Sequence, residues 1–394
     1  MLQKQKISSL LLLTFITALF SCKNESKNSQ SINPQITPNI EYHNLKKDIE
    51  FKYAKGLTIK GFYDKYVISI KNPWKNSQNN LVYELLDSTS AYFDESSKHL
   101  EGVFYIPKKI VVTSTTHIPA LELIGVENRL VGFPGTKYIS SEKTRKRIDN
   151  GFVRELGKNE SINTEVLLEI KPDIVIGFGV DGANKSFENI KKANIPVIYN
   201  GDWLEDSPLA KAEWIKFFGV LFNKEKEADS IFNTIESEYL KAKELASKTT
   251  KRPTILSGAM HKDIWYLPNG NSTEAQFLKD ANVHYIWQET SGTGSLALNF
   301  ESVFTQAKNA DIWLSPSNYP SLNALEKANP HYTRFDAFKT KQVYSFNNTT
   351  GNTGGVLYYE LGIARPDLVL KDIIKICHPE LLKDYQPYFF KPLE

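Results

Sequence analysis

The chain has 394 residues, 41% of them apolar, and a formal charge of +3 at neutral pH, to which Lys4 and Lys6 contribute. That length accommodates more than one domain of ordinary size, and that balance leaves no basic footprint for a nucleic acid. Cys22 and Cys377 are the only cysteines, so no intrachain disulfide is expected, and Cys377 reads as a buried, inert thiol.

Lys4 and Lys6 precede an uncharged run over 7–20, rich in Leu, Ile and Phe, that is too short to cross a bilayer comfortably. Residues 1–21 therefore read as a signal peptide. The boundary Leu19-Phe20-Ser21-Cys22 resembles the lipobox of bacterial lipoproteins, although Phe20 is bulkier than that position usually carries. On that resemblance Cys22 becomes the acylated first residue, several acyl chains together giving stable anchorage. The plainer alternative is an ordinary cleaved signal with a chance cysteine. Residues 22–40 are Ser, Asn, Lys, Gln and Pro with almost no apolar anchor, the composition of a flexible tether.

Over 41–105, three β-rich pieces separated by Gly, Pro and Asn (57–60, 66–70 and 81–86) predict a small antiparallel β extension. An α/β rhythm starts at 109–113. It continues through a helix near 120–124, a strand near 130–133, the capped unit Asn163-Thr164-Glu165-Val166 leading to the strand Ile174-Val175-Ile176, a helix over 184–193 and a strand over 195–199. This is an N-terminal lobe over 106–203 around a parallel sheet. Over 207–248, Ala212, Ile215, Phe218, Phe222, Ala228, Ile231, Ile235 and Tyr239 recur near helical spacing, and neither Gly219 nor Asn223 reads as a break. One helix of that length would run roughly 50 Å, longer than a lobe is wide, so it bridges lobes. A second α/β lobe follows over 251–390, with strands at 253–257 and 342–346, a second capped unit Asn299-Phe300-Glu301-Ser302 and a terminal helix over 366–376. The predicted fold class is α/β: two Rossmann-like lobes with parallel sheets joined by one long rigid α-helix, plus the small N-terminal β extension.

Ligands of two-lobed α/β proteins lie in the crevice at the carboxyl ends of the strands. The loops expected there nominate Thr116, His117, Asp181, Trp203, Trp265, Tyr319 and Asn347 as ligand-binding residues. Aromatic, hydroxyl and amide groups of this kind suit a sizeable polar organic ligand or a metal chelate, and each residue also has a packing or loop reading. His117 serves equally as a neutral hydrogen-bonding group or as a metal ligand. Seven scattered histidines lack the close pairing of a zinc site, so no metal-ligating residues are assigned, with a zinc or manganese receptor kept as the alternative.

Gly177-Phe178-Gly179-Val180-Asp181-Gly182, followed by Asp202, satisfies the dinucleotide fingerprint on paper and supplies a second alternative, a periplasmic NAD-type oxidoreductase. The competing explanation is a tight turn at a strand end, and this unit does not open its lobe. With no GxSxG elbow, HExxH helix or CxxC pair, an enzyme is not expected. Glu84, Asp87, Asp94 and Glu95 read as a solvated acidic face.

The order of several blocks carries a family likeness: Ser114-Thr115-Thr116-His117, the stretch 163–177, Ser207-Pro208-Leu209 leading to Ala212-Glu213-Trp214, Trp265-Tyr266-Leu267-Pro268-Asn269-Gly270, and 299–311. Over 109–379 the chain resembles the substrate-binding lipoproteins of bacterial ABC importers for iron complexes and cobalamin. The resemblance implies a monomer in the periplasm, lipid-anchored to a bacterial membrane and without an intrinsic cofactor. It implies a cleft for an iron chelate (siderophore or haem) or a corrinoid, and an inner-membrane permease with its ATPase as partner. In that family one glutamate per lobe docks against permease arginines, and the matching positions here are Glu165 and Glu301. Taken alone, the same two residues also read as acids that favour helix N-termini.

Overall fold

The computed structural model describes residues 46–87, 102–182 and 184–394. The signal peptide, the whole of the tether with Cys22, and Asp94 and Glu95 lie outside the described residues.

The N-terminal extension is a four-stranded sheet in the order Leu57–Phe62, Lys65–Lys71, Asn80–Leu86, Val103–Tyr105. The first three strands are antiparallel as expected, whereas Val103–Tyr105 pairs parallel to Asn80–Leu86. Alternation along these strands turns Ile59, Ile68, Ile70 and Leu85 inward, where they share one apolar core with Ile110, Leu121 and Phe133 of the lobe behind. The extension is thus welded to the N-terminal lobe. That lobe holds a parallel sheet ordered Val197–Tyr199, Ile174–Gly177, Ile110–Val112, Leu130–Phe133, Arg154–Glu155. The C-terminal lobe repeats the plan with His284–Tyr285, Thr254–Ser257, Ile312–Leu314 and Val343–Ser345 parallel, and Lys391–Pro392 closing the edge antiparallel. Cys377 is buried at the end of the helix Pro366–Cys377, and burial pushes its thiol pKa upward, away from reactivity.

The bridge departs from the expectation of one unbroken helix. It consists of Pro208–Glu213, Ile215–Leu221 and Glu225–Ser247. An i→i+3 bond from the Trp214 N–H to the Lys211 carbonyl kinks the first pair. Asn223 then takes the left-handed conformation (φ 54°) while the Lys224 N–H returns to the Gly219 carbonyl, a helix-ending turn that Asn tolerates better than other side chains. Gly219 has no side chain because Ala228 of the next helix occupies that space. The three helices stitch the lobes together. Leu209 enters the C-terminal core, Trp214, Phe217 and Phe218 return to the N-terminal core, and the last helix places Phe232 and Ile235 in the first core but Tyr239, Ala242 and Ala246 in the second.

A strap over residues 50–56 lies against this bridge. The buried Glu213 carboxylate accepts the backbone N–H groups of Lys52, Tyr53 and Ala54 at 2.8, 2.8 and 2.9 Å and the Lys216 ammonium at 3.1 Å. Glu205 accepts the N–H of Gly56 at 2.9 Å and the Trp214 indole at 3.0 Å. The Tyr53 hydroxyl donates to Glu236 of the longest helix at 2.7 Å.

Candidate functional site

Both parallel sheets end their strands at a cavity. In the N-terminal lobe a pocket of about 250 Å³ is lined by Ser114, Thr116, His117, Phe178, Val180, Asp202 and Trp203, from the loops that follow three adjacent strands. His117 opens the helix His117–Leu123 and is fully buried, its ring 5.7 Å from that of Phe218, with neither ring nitrogen hydrogen-bonded among the described residues. Burial lowers its pKa from 6.5 to about 3, so the imidazole is neutral. The Trp203 indole N–H is likewise buried without a partner among the described residues. Asp202 is pushed up to about 6 by burial, against the pull of Lys211, its neighbour's backbone N–H and the Thr116 hydroxyl. Orphaned buried polar groups facing a cavity are costly unless a ligand or water completes them.

The second cavity, about 330 Å³, lies in the C-terminal lobe beyond Ser257, Leu314 and Phe346 and carries Tyr266, Tyr358, Tyr359 and Glu274 on its walls. It adjoins the contact between the lobes, because the helix Leu357–Leu361 packs on the helix His117–Leu123. There the buried Glu360 carboxylate accepts the backbone N–H groups of Ser140 and Ser141, and the Thr353 hydroxyl donates to the Lys137 carbonyl at 2.8 Å. Gly355 has no side chain because the Tyr138 carbonyl of the other lobe fills that position.

Burial and then the nearby Glu122 carboxylate raise the Glu360 pKa from 4.5 to about 7, net of the two backbone donors that lower it. The raised pKa means that the closed contact binds a proton more readily than the separated lobes do. Its contribution is complete below about pH 4.5 and is lost as pH rises through about 7, on the order of 3 kcal/mol in all. Protection of the Ser140 and Ser141 amides against hydrogen exchange is therefore expected to fall between about pH 4.5 and 7, and Glu360→Gln to flatten that dependence. Equal slopes in the two proteins would show that another group is responsible.

Of the predicted ligand residues, Thr116, His117 and Trp203 converge on the first pocket. Asp181 is exposed one residue beyond the lining Val180. Asn347 adjoins Phe346 of the second pocket, donating to the Ser317 carbonyl at 2.9 Å, while Tyr319 is half-buried with its ring edge-on to Tyr332. Trp265 does not reach the cleft. It is fully buried, stacked on Trp313 at 5.4 Å, and its indole donates to the Ser257 carbonyl at 2.9 Å. The next residue on the strand Ile264–Pro268 is the one facing the cavity, since successive strand side chains alternate. Phe178, Glu274, Tyr358 and Tyr359 are pocket residues that the loop reading passed over.

Glu165 and Glu301 occupy equivalent places, each two residues after an Asn cap whose side chain accepts backbone N–H groups of its helix. Both are exposed. Their helices precede the strands Ile174–Gly177 and Ile312–Leu314, so the N-termini of both lie toward the carboxyl edges of the sheets, on the side of the pockets. The Gly177–Gly182 loop is covered by the extension: Trp74 lies against Gly179, and the Lys75 N–H donates to the Val180 carbonyl at 3.1 Å.

Residues 110–350 match the family of periplasmic binding proteins. The chain belongs to this family. An uncharacterized lipoprotein of Methanocaldococcus jannaschii is 28% identical over 404 residues, spanning 96% of this chain and 94% of its own length. The fold matches a periplasmic heme-binding protein from Pseudomonas aeruginosa (TM-score 0.55, 15% identity, 73% of this chain and 98% of that one). It also matches the Ni(II)-bound CeuE protein of Helicobacter pylori (TM-score 0.52, 19% identity, 71% and 86%). No helix among the described residues is long and apolar enough to cross a membrane.

Proposed function

We propose that this periplasmic binding protein is a lipid-anchored receptor, not an enzyme, that captures an iron chelate or a corrinoid between its lobes and delivers it to an ABC permease with its ATPase. The observation that carries the reading is the pair of pockets at the carboxyl edges of the two sheets, one of them presenting a buried, neutral and unpartnered His117. Cys22 would carry the anchor, in keeping with the lipoprotein relative, and Glu165 and Glu301 would meet the permease. The names of two structural neighbours, one heme-binding and one holding Ni(II), support metal complexes as the class of cargo. A bare zinc or manganese ion fits less well, because no three His, Cys, Asp or Glu side chains come together among the described residues. A dinucleotide fits less well too, with Trp74 seated over the glycine loop.

Native mass spectrometry and absorbance titration with a ferric siderophore, haem, a corrinoid, zinc and manganese test this directly. One of the complexes is expected to bind, and His117→Ala to weaken it about tenfold through loss of a buried polar contact. Tight binding of zinc or manganese alone would overturn the reading.

A further inference from the structure

The charges lining the cleft bear on what kind of complex it accepts. Neither pocket is lined by Lys or Arg among the described residues. In the N-terminal pocket the buried imidazole is neutral, and the Asp202 carboxylate feels the positive charge of Lys211. The C-terminal pocket is different. Glu274, exposed in the first turn of the helix Thr273–Asp280, makes no ion pair among the described residues. Aromatic side chains share its cavity. Tyr359 and Tyr266 are 56% and 42% exposed, and Phe346 stacks on Tyr358 at 4.0 Å and meets Tyr359 edge-on at 5.4 Å.

Burial, with the Glu274 charge second, pushes the Tyr358 and Tyr359 hydroxyls further from ionisation, so Glu274 is within electrostatic reach of both phenols and they remain neutral. The net formal charge on this wall is a single negative one, set among aromatic side chains. A carboxylate flanked by aromatic faces attracts a cation by Coulomb and quadrupole terms together, and repels an anion.

We propose that the cleft selects a cationic complex over an anionic one, with Glu274 and the rings of Tyr266, Tyr358 and Tyr359 as the discriminating wall. This rests on the receptor reading above and narrows its cargo. Within ferric siderophores it favours hydroxamates that bear a free ammonium over multiply charged catecholates, and within corrinoids it favours the aqua cation. Haem, with two ionised propionates, is disfavoured. Glu274 is a specificity residue that meets cargo charge across the cavity, and it is exposed enough for substitution without unpacking the lobe.

The test is calorimetric titration of the purified full chain with three probes: a ferric trihydroxamate bearing a free ammonium, a ferric tricatecholate, and aquacobalamin. One of the cationic probes is expected to bind at least about tenfold more tightly than the tricatecholate. Glu274→Lys is expected to weaken the cationic probe and strengthen the tricatecholate, inverting the ratio, which a misfolded variant cannot mimic. Glu274→Gln should fall between. A tricatecholate bound as tightly as the cations, or a ratio unmoved by Glu274→Lys, would overturn the charge inference while leaving the receptor intact. Failure of all three probes and of haem to bind would instead remove the receptor reading, and the charge inference with it.

Discussion

Replacing Glu213 by leucine is expected to destabilise the protein by about 3–5 kcal/mol, the usual cost of breaking a buried, hydrogen-bonded ionic group. The carboxylate is fully buried and holds three consecutive backbone N–H groups of the strap as well as the Lys216 ammonium. Leucine fills part of the space but leaves the three backbone N–H groups without an acceptor. Lys216 keeps the Glu50 carbonyl at 2.8 Å and Asp229 at 3.3 Å, which is why the loss stays near the lower end of the range for an uncompensated charge. Denaturant unfolding followed by far-UV circular dichroism measures it, with Glu227→Gln on the exposed face of the longest bridging helix as the reference, expected within about 0.5 kcal/mol of the parent. A shift below about 1 kcal/mol for Glu213→Leu would mean that water replaces the carboxylate.

The combined charge reversal Glu165→Lys and Glu301→Lys is expected to reduce ligand delivery through a reconstituted permease at least about hundredfold while leaving ligand affinity unchanged. Each substitution puts a like charge against the permease arginines that the docking proposal invokes and also opposes the helix dipole. The dipole term is small, about 0.3–1 kcal/mol per helix, so folding survives. The double variant separates the two meanings of these acids. If they serve only as favourable first-turn residues, thermal stability falls slightly and delivery is unaffected. If they dock, delivery collapses with stability nearly intact, and singly reversed proteins fall between.

The two-lobe plan was legible in the sequence because buried parallel strands such as Ile110–Val112 and Ile174–Gly177 are short apolar runs, and because Asn163 and Asn299 announce their helices with real caps. That His117, Thr116 and Trp203 line one pocket was legible for a related reason: the chain must turn where a strand ends, and those turns meet at one edge. The bridge was misread because its apolar spacing continues almost in phase through Phe222, while the break depends on one Asn adopting φ 54° and on how closely Ala228 approaches Gly219. Neither is a property of spacing. The C-terminal wall was missed for a narrower reason. Trp265 and Tyr266 are adjacent and both aromatic, and only the parity of their strand decides which one is core. Tyr358 and Tyr359 follow the strand Val343–Ser345 by a long loop, and their approach to Glu274 arises from tertiary packing alone.

The strap over 50–56 has a mechanical meaning. It is fastened to Glu205 just before the bridge and to Glu213 and Glu236 on it, while Ala54 sits in the N-terminal core, so it ties the N-terminal lobe to the connecting helices. The chain reaches the strap already paired to the extension, the Lys46 N–H donating to the Tyr63 carbonyl at 2.8 Å and the Ile49 N–H to the Ile59 carbonyl at 3.0 Å, so a pull from the N-terminal side is taken first by that sheet. Under the proposed anchorage, load would therefore enter through the N-terminal lobe and the root of the bridge and bypass the C-terminal lobe.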